Sequence, residues 1–197
     1  MRIGVFGGSF DPPHAAHVKV AAAAREQLQL DRVIWVPALE PPHKNIPATP
    51  FEHRLGMVKS LMSSEARFEV SDVEASLPRP SFTLQTLFAL KKIHGLDLSL
   101  HLIIGADNWN IFPQWHQPEA VMKEASLAVY PRHGISLAGL PSHVTLLHCP
   151  EISMESSQFR ERLQRNSKET LAELPASVAY YIRKHGLYGI SSESGLL

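Results

Sequence analysis

The stretch GVFGGSFDPPHAAH, residues 4–17, decides how the rest of the chain is read. Its first residues belong to a short apolar run that predicts a strand. Gly7 and Gly8 follow as a turn, and a helical pattern begins near residue 15. Strand, glycine-bearing turn and helix start together form a geometry that binds phosphate. The glycines let a polyanion approach bare backbone, and the helix start points unpaired N–H groups and the positive end of its dipole into the same space. His14 and His17 lie three apart and share one face of the first helical turn. A fold needs the strand and the turn, but it does not need both histidines. Their placement predicts two imidazoles donating hydrogen bonds to one triphosphate. Zinc is the other use of paired histidines; a single cysteine in the chain and no third ligand nearby argue against it.

Outward from that stretch, β-branched runs alternate with helical patterns, the sign of a parallel α/β sheet with helices on both faces. The spacing predicts strands near 2–6, 32–36, 67–70, 99–104, 126–130 and 143–148. Helices are expected near 15–29, 52–64, 81–94, 117–124, 156–165 and 174–185. HLIIGAD (101–107) reads as a buried strand that must bend at Gly105. SSQFRERL opens a helix with Ser156 or Ser157 as its N-cap. The five prolines in 37–50 predict a loop. With no internal repeat or low-complexity segment, residues 1–190 read as a single domain and 191–197 as a tail, ordered or not.

The totals narrow the function. The 197 residues carry 19 basic and 19 acidic side chains, so the formal net charge is zero. That balance makes no electrostatic case for a nucleic-acid or membrane partner, and any anion must be gripped locally. A hydrophobic fraction of 44% is enough for a core without a disulfide staple. The one cysteine, Cys149, agrees with a reducing compartment. No apolar run approaches the roughly 20 residues that span a bilayer. A strand by residue 3 leaves no room for a signal peptide. A cytoplasmic protein is expected.

GGSFDPPHAAH resembles the GGSFDPxHxGH signature of nucleotidyltransferases with a Rossmann-like fold and an HxGH motif, with Ala16 where that family usually has glycine. Five further stretches are similar to bacterial nicotinate-nucleotide adenylyltransferases. PPHK (41–44) resembles their proline-rich loop after the second strand, and SFTLQTL (81–87) their SYTxxTL helix start. IGADNWNIFPQWH (104–116) looks like their GxDxxxxFxxW segment, and SSQFRERL like their ISSTxIR signature. YIRKHGLY (181–188) matches their usual ending, so the likeness runs from about residue 3 to about 188.

That resemblance implies a Rossmann-like doubly wound parallel sheet and transfer of an adenylyl group from ATP to nicotinate mononucleotide. It implies catalytic roles for His14, His17, Lys44 and Arg160. ATP would be held by Gly7, Gly8, Ser9, Phe10, Gly105, Asp107, Arg132, Ser156 and Ser157. The mononucleotide would meet Thr83 and Trp115, with the pyridine ring stacked on the indole. The residues themselves suit these tasks. Asp107 follows a strand end, where open α/β sheets bind ligands, and Arg160 carries a fork of donors matched to phosphate. No metal ligands are expected from the protein, and Mg²⁺ would be held mainly by ATP phosphates and water.

The attacking phosphate of a mononucleotide is already ionised near neutral pH, so in-line transfer needs no general base, and none is evident. Glu155 falls where the family's first serine stands, and an acid beside a triphosphate repels it; Glu155 is therefore expected to face away. Three alternatives stay open: nicotinamide mononucleotide as acceptor, another adenylyltransferase of the superfamily such as one acting on phosphopantetheine, and a nucleotide-binding regulator without activity. The sequence leaves a homo-oligomer open.

Overall fold

The computed structural model describes residues 1–41, 49–62, 66–149, 155–165 and 167–192. Lys44 lies outside the described residues, as do 193–197 of the tail. A parallel six-stranded sheet carries the fold: β1 (Arg2–Gly8), β2 (Arg32–Pro37), β3 (Phe68–Val70), β4 (Ser99–Gly105), β5 (Ala125–Tyr130) and β6 (Thr145–Leu146). Their order across the sheet is β3-β2-β1-β4-β5-β6, with every neighbouring pair parallel. Progress reverses between β1 and β4. Open α/β sheets place their ligand crevice at such a switch point, beyond the carboxyl ends of the strands.

Alternation along the strands assigns the two faces. Ile3, Val5, Ile34, Val36, Leu102 and Ile104 pack into one apolar cluster, whereas Phe6, Val33, Trp35, Ile103 and Tyr130 pack into another. Helices α3 (Thr83–His94) and α5 (Pro118–Glu124) cover the first face through Leu84, Leu87, Leu90 and Val121. Helices α1 (Ala15–Gln27) and α2 (Phe51–Met62) cover the second through Val20, Ala21, Ala24, Val58 and Met62. A third cluster lies on the outer side of α2. There Met57 meets α6 (Ser156–Arg165), α7 (Ser167–Glu173) and α8 (Ala176–Lys184). Each fully buried aliphatic side chain contributes about 1.5–3 kcal/mol. An exposed ion pair such as Arg32–Glu69 (3.0 Å) contributes at most about 1, so the two faces of the sheet dominate stability.

The doubly wound architecture is as expected, with differences at the edges. The last strand is only two residues long, shorter than the 143–148 run. Two helices went unforeseen, α4 (Ala106–Ile111) and α7. α4 starts directly at the end of β4 without a loop, and its six residues are too few for a periodic pattern to emerge.

Candidate active site

Two cavities open at the carboxyl ends of β1 and β4. The larger, about 410 Å³, is lined by Gly7, Gly8, Ser9, Phe10, Asp11, His17, Asp107, Arg132 and the first turns of α6. The smaller, about 130 Å³, lies between the ends of β1, β2 and β4 and the start of α3. Gly7, Gly8, Ser9 and Asn108 border both, so the two basins share one wall.

Local sequence builds that wall. A Cβ at Gly8 would lie 3.0–3.3 Å from the Phe10 ring, so a side chain there would press on the aromatic. Phe10 adopts φ 48°, the left-handed region, and only 2% of it is exposed. Its ring packs edge-on against Phe6 (5.5 Å) and His17 (5.2 Å). Phe10 thus borders the larger basin as part of the core that supports His17. Behind the wall sits Arg54, 1% exposed. Its Nη1 donates to Ser9 O (2.8 Å), Nη2 to Leu39 O (3.2 Å) and Nε to Thr49 O (3.0 Å). One guanidinium thereby clamps the chain after β1, the chain after β2 and the entry to α2. Sequence reasoning missed Arg54. The signal was present: it shares the buried face of α2 with Met57, Val58 and Met62, where a lone cation is out of place.

The histidines occupy different layers. His14 N–H donates to His17 Nδ1 (3.2 Å). A nitrogen that accepts carries no proton, so the His17 ring keeps its proton on Nε2, a donor on the wall of the larger basin. His14 lines neither basin. It is 2% exposed, lies against His17 (3.8 Å between ring centres) and stacks on Phe159 (5.1 Å). Burial, helped by the positive charge of Arg132, pulls its pKa down to about 4, so it is neutral at pH 7. Its Nε2 has no hydrogen-bond partner among the described residues.

The other expected residues divide between the basins. Asp107 and Arg132 face each other across the larger one, Oδ1 to Nε 3.4 Å. Gly105 lines neither but underlies this pair: a Cβ there would come within 2.3 Å of Asp107 Oδ1 and 3.1 Å of Arg132 Nε. Burial lowers the Arg132 pKa, but the nearby Tyr130, Asp107 and Glu155 raise it further, and the group stays cationic. Ser156 and Arg160 line the larger basin, while Ser156 Oγ also donates to Pro12 O (3.0 Å) and Arg160 Nη1 to Asp11 O (2.7 Å). Ser157 borders it too, its Oγ donating to Glu155 Oε2 (3.4 Å).

Glu155 corrects one expectation. It does not face away: it lines the larger basin, with Oε1 4.0 Å from Arg132 Nη1. A cation and a donor on that wall, Arg132 and Ser157, draw the carboxylate inward. The Ala16 methyl, by contrast, lines neither basin and packs on the core cluster beneath α1.

Thr83 and Trp115 line the smaller basin. Thr83 is the first residue of α3, whose opening N–H groups have no intrahelical acceptor. Trp115 is half-buried beside Phe112, ring centres 5.2 Å apart. Phe82 and His116 stack at 4.3 Å on the same rim. Glu74, unforeseen, accepts from Leu39 N (2.9 Å), Ser81 Oγ (2.8 Å) and Thr86 Oγ1 (3.2 Å). It thereby ties the chain after β2 to the start of α3. Burial raises its pKa, and these donors hold the rise down.

A doubly wound sheet with a glycine turn, a helix start and paired arginines around one basin defines a nucleotide-binding α/β protein of the phosphoryl- or nucleotidyl-transfer kind. The chain belongs to the cytidylyltransferase-like family, whose model matches residues 5–184. A protein of Thermus thermophilus named a probable nicotinate-nucleotide adenylyltransferase is 39% identical over 95% of this chain and 100% of its own. One of the same name from Thermomicrobium roseum is 36% identical over 95% of this chain and 91% of its own. The nicotinic acid mononucleotide adenylyltransferase of Plasmodium falciparum, solved with NaAD, matches in fold at a TM-score of 0.80. It is 20% identical and covers 98% of this chain and 99% of its own.

Proposed function

We infer that this protein transfers the adenylyl group of ATP to nicotinate mononucleotide, giving nicotinate adenine dinucleotide and pyrophosphate, a step of NAD biosynthesis. One observation carries the reading: a polar basin and an apolar, tryptophan-bearing basin meet at the Gly7–Gly8–Ser9 wall, where two phosphates would come together. Two curated relatives that carry the activity in their names support it over nearly the whole chain. The catalytic unit is residues 1–190 in a cytoplasmic protein.

ATP occupies the larger basin. His17 Nε2–H donates to the phosphoryl oxygens as charge builds on them, and Arg132 and Arg160 neutralise that charge. Neutral His14 orients His17 through its backbone N–H. Asp107 holds a ribose hydroxyl. The mononucleotide occupies the smaller basin, its ring on Trp115 and its carboxylate towards the donors at the start of α3, Thr83 included. Its 5′-phosphate attacks the α-phosphorus in line, the bond to the pyrophosphate oxygen breaks, and pyrophosphate carries the electron pair away. The protein's task is alignment and charge stabilisation.

Among the described residues no three ligating side chains come together to hold a metal ion. Mg²⁺ would serve as the counter-ion of ATP and would supply charge neutralisation to the polyphosphate beside Arg132 and Arg160. The deciding experiment follows pyrophosphate release from ATP and Mg²⁺ with nicotinate and nicotinamide mononucleotide in parallel. Release favouring the acid is expected. Equal or opposite preference would retain the ATP basin and refute the account of the smaller one; ATP binding without release would favour a regulator.

A further inference from the structure

The ending YIRKHGLY has no part in the mechanism, yet it reaches the active site. After α8 the chain turns through Gly186 (φ 61°) into a short 3₁₀ turn, Leu187–Gly189. Within it Tyr188 adopts φ 59°, ψ 30°, a left-handed conformation that costs a non-glycine residue energy and persists where the surroundings enforce it. That backbone delivers the Tyr188 hydroxyl to Asp11 Oδ1, 2.7 Å away, at the bottom of the loop after β1. Burial and the Asp11 carboxylate push the phenol well above its usual range, so it remains a donor.

Asp11 is 1% exposed and faces the other way as well: its Oδ2 lies 3.7 Å from Arg160 Nη1, and its carbonyl accepts from the same nitrogen at 2.7 Å. Ser156, one turn earlier on α6, is tied to Pro12 O. A guanidinium has five N–H donors, and the contacts with Asp11 engage a single nitrogen of Arg160. We propose that Tyr188 and Asp11 are positioning residues that fix the Arg160 guanidinium at the triphosphate basin, making the carboxy-terminal turn part of the ATP site. A flexible arginine loses rotamer freedom on binding an anion; a buried carboxylate, anchored at Oδ1 by Tyr188 and turned by Oδ2 towards the guanidinium, removes that loss beforehand.

This rests on reading the larger basin as the ATP site, so the test measures ATP affinity directly, by calorimetric titration of ATP and Mg²⁺ without the second substrate. Tyr188→Phe is expected to weaken ATP about tenfold, the scale of one hydrogen bond to a charged group. Asp11→Asn, which keeps the shape and removes the charge, weakens it at least as much. In an Arg160→Lys background the Tyr188→Phe effect shrinks to less than twofold, because the residue it acts through is already lost. Tyr188→Phe within twofold of wild type, or the same loss in both backgrounds, overturns the proposal and leaves Tyr188 a packing residue. If wild type binds ATP but releases no pyrophosphate with nicotinate mononucleotide, the functional reading fails while the positioning role is still judged on the ATP titrations. No ATP binding by wild type refutes both.

Discussion

The larger basin takes its walls from main-chain turns, two arginines and a histidine, contributed by β1, α1, β5 and α6. The smaller is walled by aliphatic and aromatic side chains, Val36, Leu102, Ile104, Phe82 and Trp115, with polar groups at its edge. The two share the Gly7–Ser9 turn and little else. Polyphosphate carries several charges and no distinctive shape, so it is gripped by donors and cations. A pyridine ring is flat and weakly polar, so it is recognised by packing, with few polar contacts to orient it. Damage to each basin should therefore show in a different quantity.

The largest effect concerns the protonation of the polar side. Below pH 6.5 the unfolded chain takes up a proton on His14 that the folded chain refuses until about pH 4. The folded state thus loses stability as the pH falls through that window, and His14 costs it nothing above. The full loss is about 3 kcal/mol. Denaturant titrations at pH 7 and pH 4 should show the stability advantage of wild type over His14→Gln shrinking by that amount; parallel losses in the two proteins would mean that His14 titrates normally. Next comes His17→Ala, which removes a donor to the developing charge and should lower kcat by about 100-fold or more. A variant within about threefold of wild type in steady-state pyrophosphate release would take His17 out of the mechanism. The smallest effect is on the apolar side. Trp115→Ala should raise KM for the mononucleotide roughly tenfold, the scale of one aromatic contact, with KM for ATP unchanged. Equal rises in both would merge the basins and dissolve the contrast.

Much of this contrast could be read in advance, unevenly. The parallel sheet was legible because β1, β2, β4 and β5 are nearly continuous apolar runs, as buried strands must be. Gly7, Gly8, His17, Asp107 and Arg160 drew notice because their residue types are costly or pointless without a ligand at those positions. Other features depend on distances no spacing encodes. Arg54 clamps three carbonyls, the farthest 45 residues from it in sequence, and Glu74 binds donors on both sides of its own turn. Asn108 touches both basins only because α4 begins without a loop. Glu155 is hidden for a related reason: repulsion from an incoming triphosphate is visible in its charge, but its partner Arg132 lies 23 residues earlier in the chain and only 4.0 Å away in space.

The division of the walls along the chain has a consequence for descent and for redesign. Apart from β1 and its turn, the smaller basin draws on residues 36–41 and 74–116, and the larger on His17 and residues from 107 to 160. Overlap is limited to the start of α4. A lineage could therefore exchange one acceptor molecule for another through changes in the central third of the gene, leaving the donor half under separate selection. The same boundary marks where a chimera should be cut: grafting residues 36–41 and 74–116 of a relative with a different acceptor onto this chain, with Asp107 retained, would move specificity and keep the chemistry.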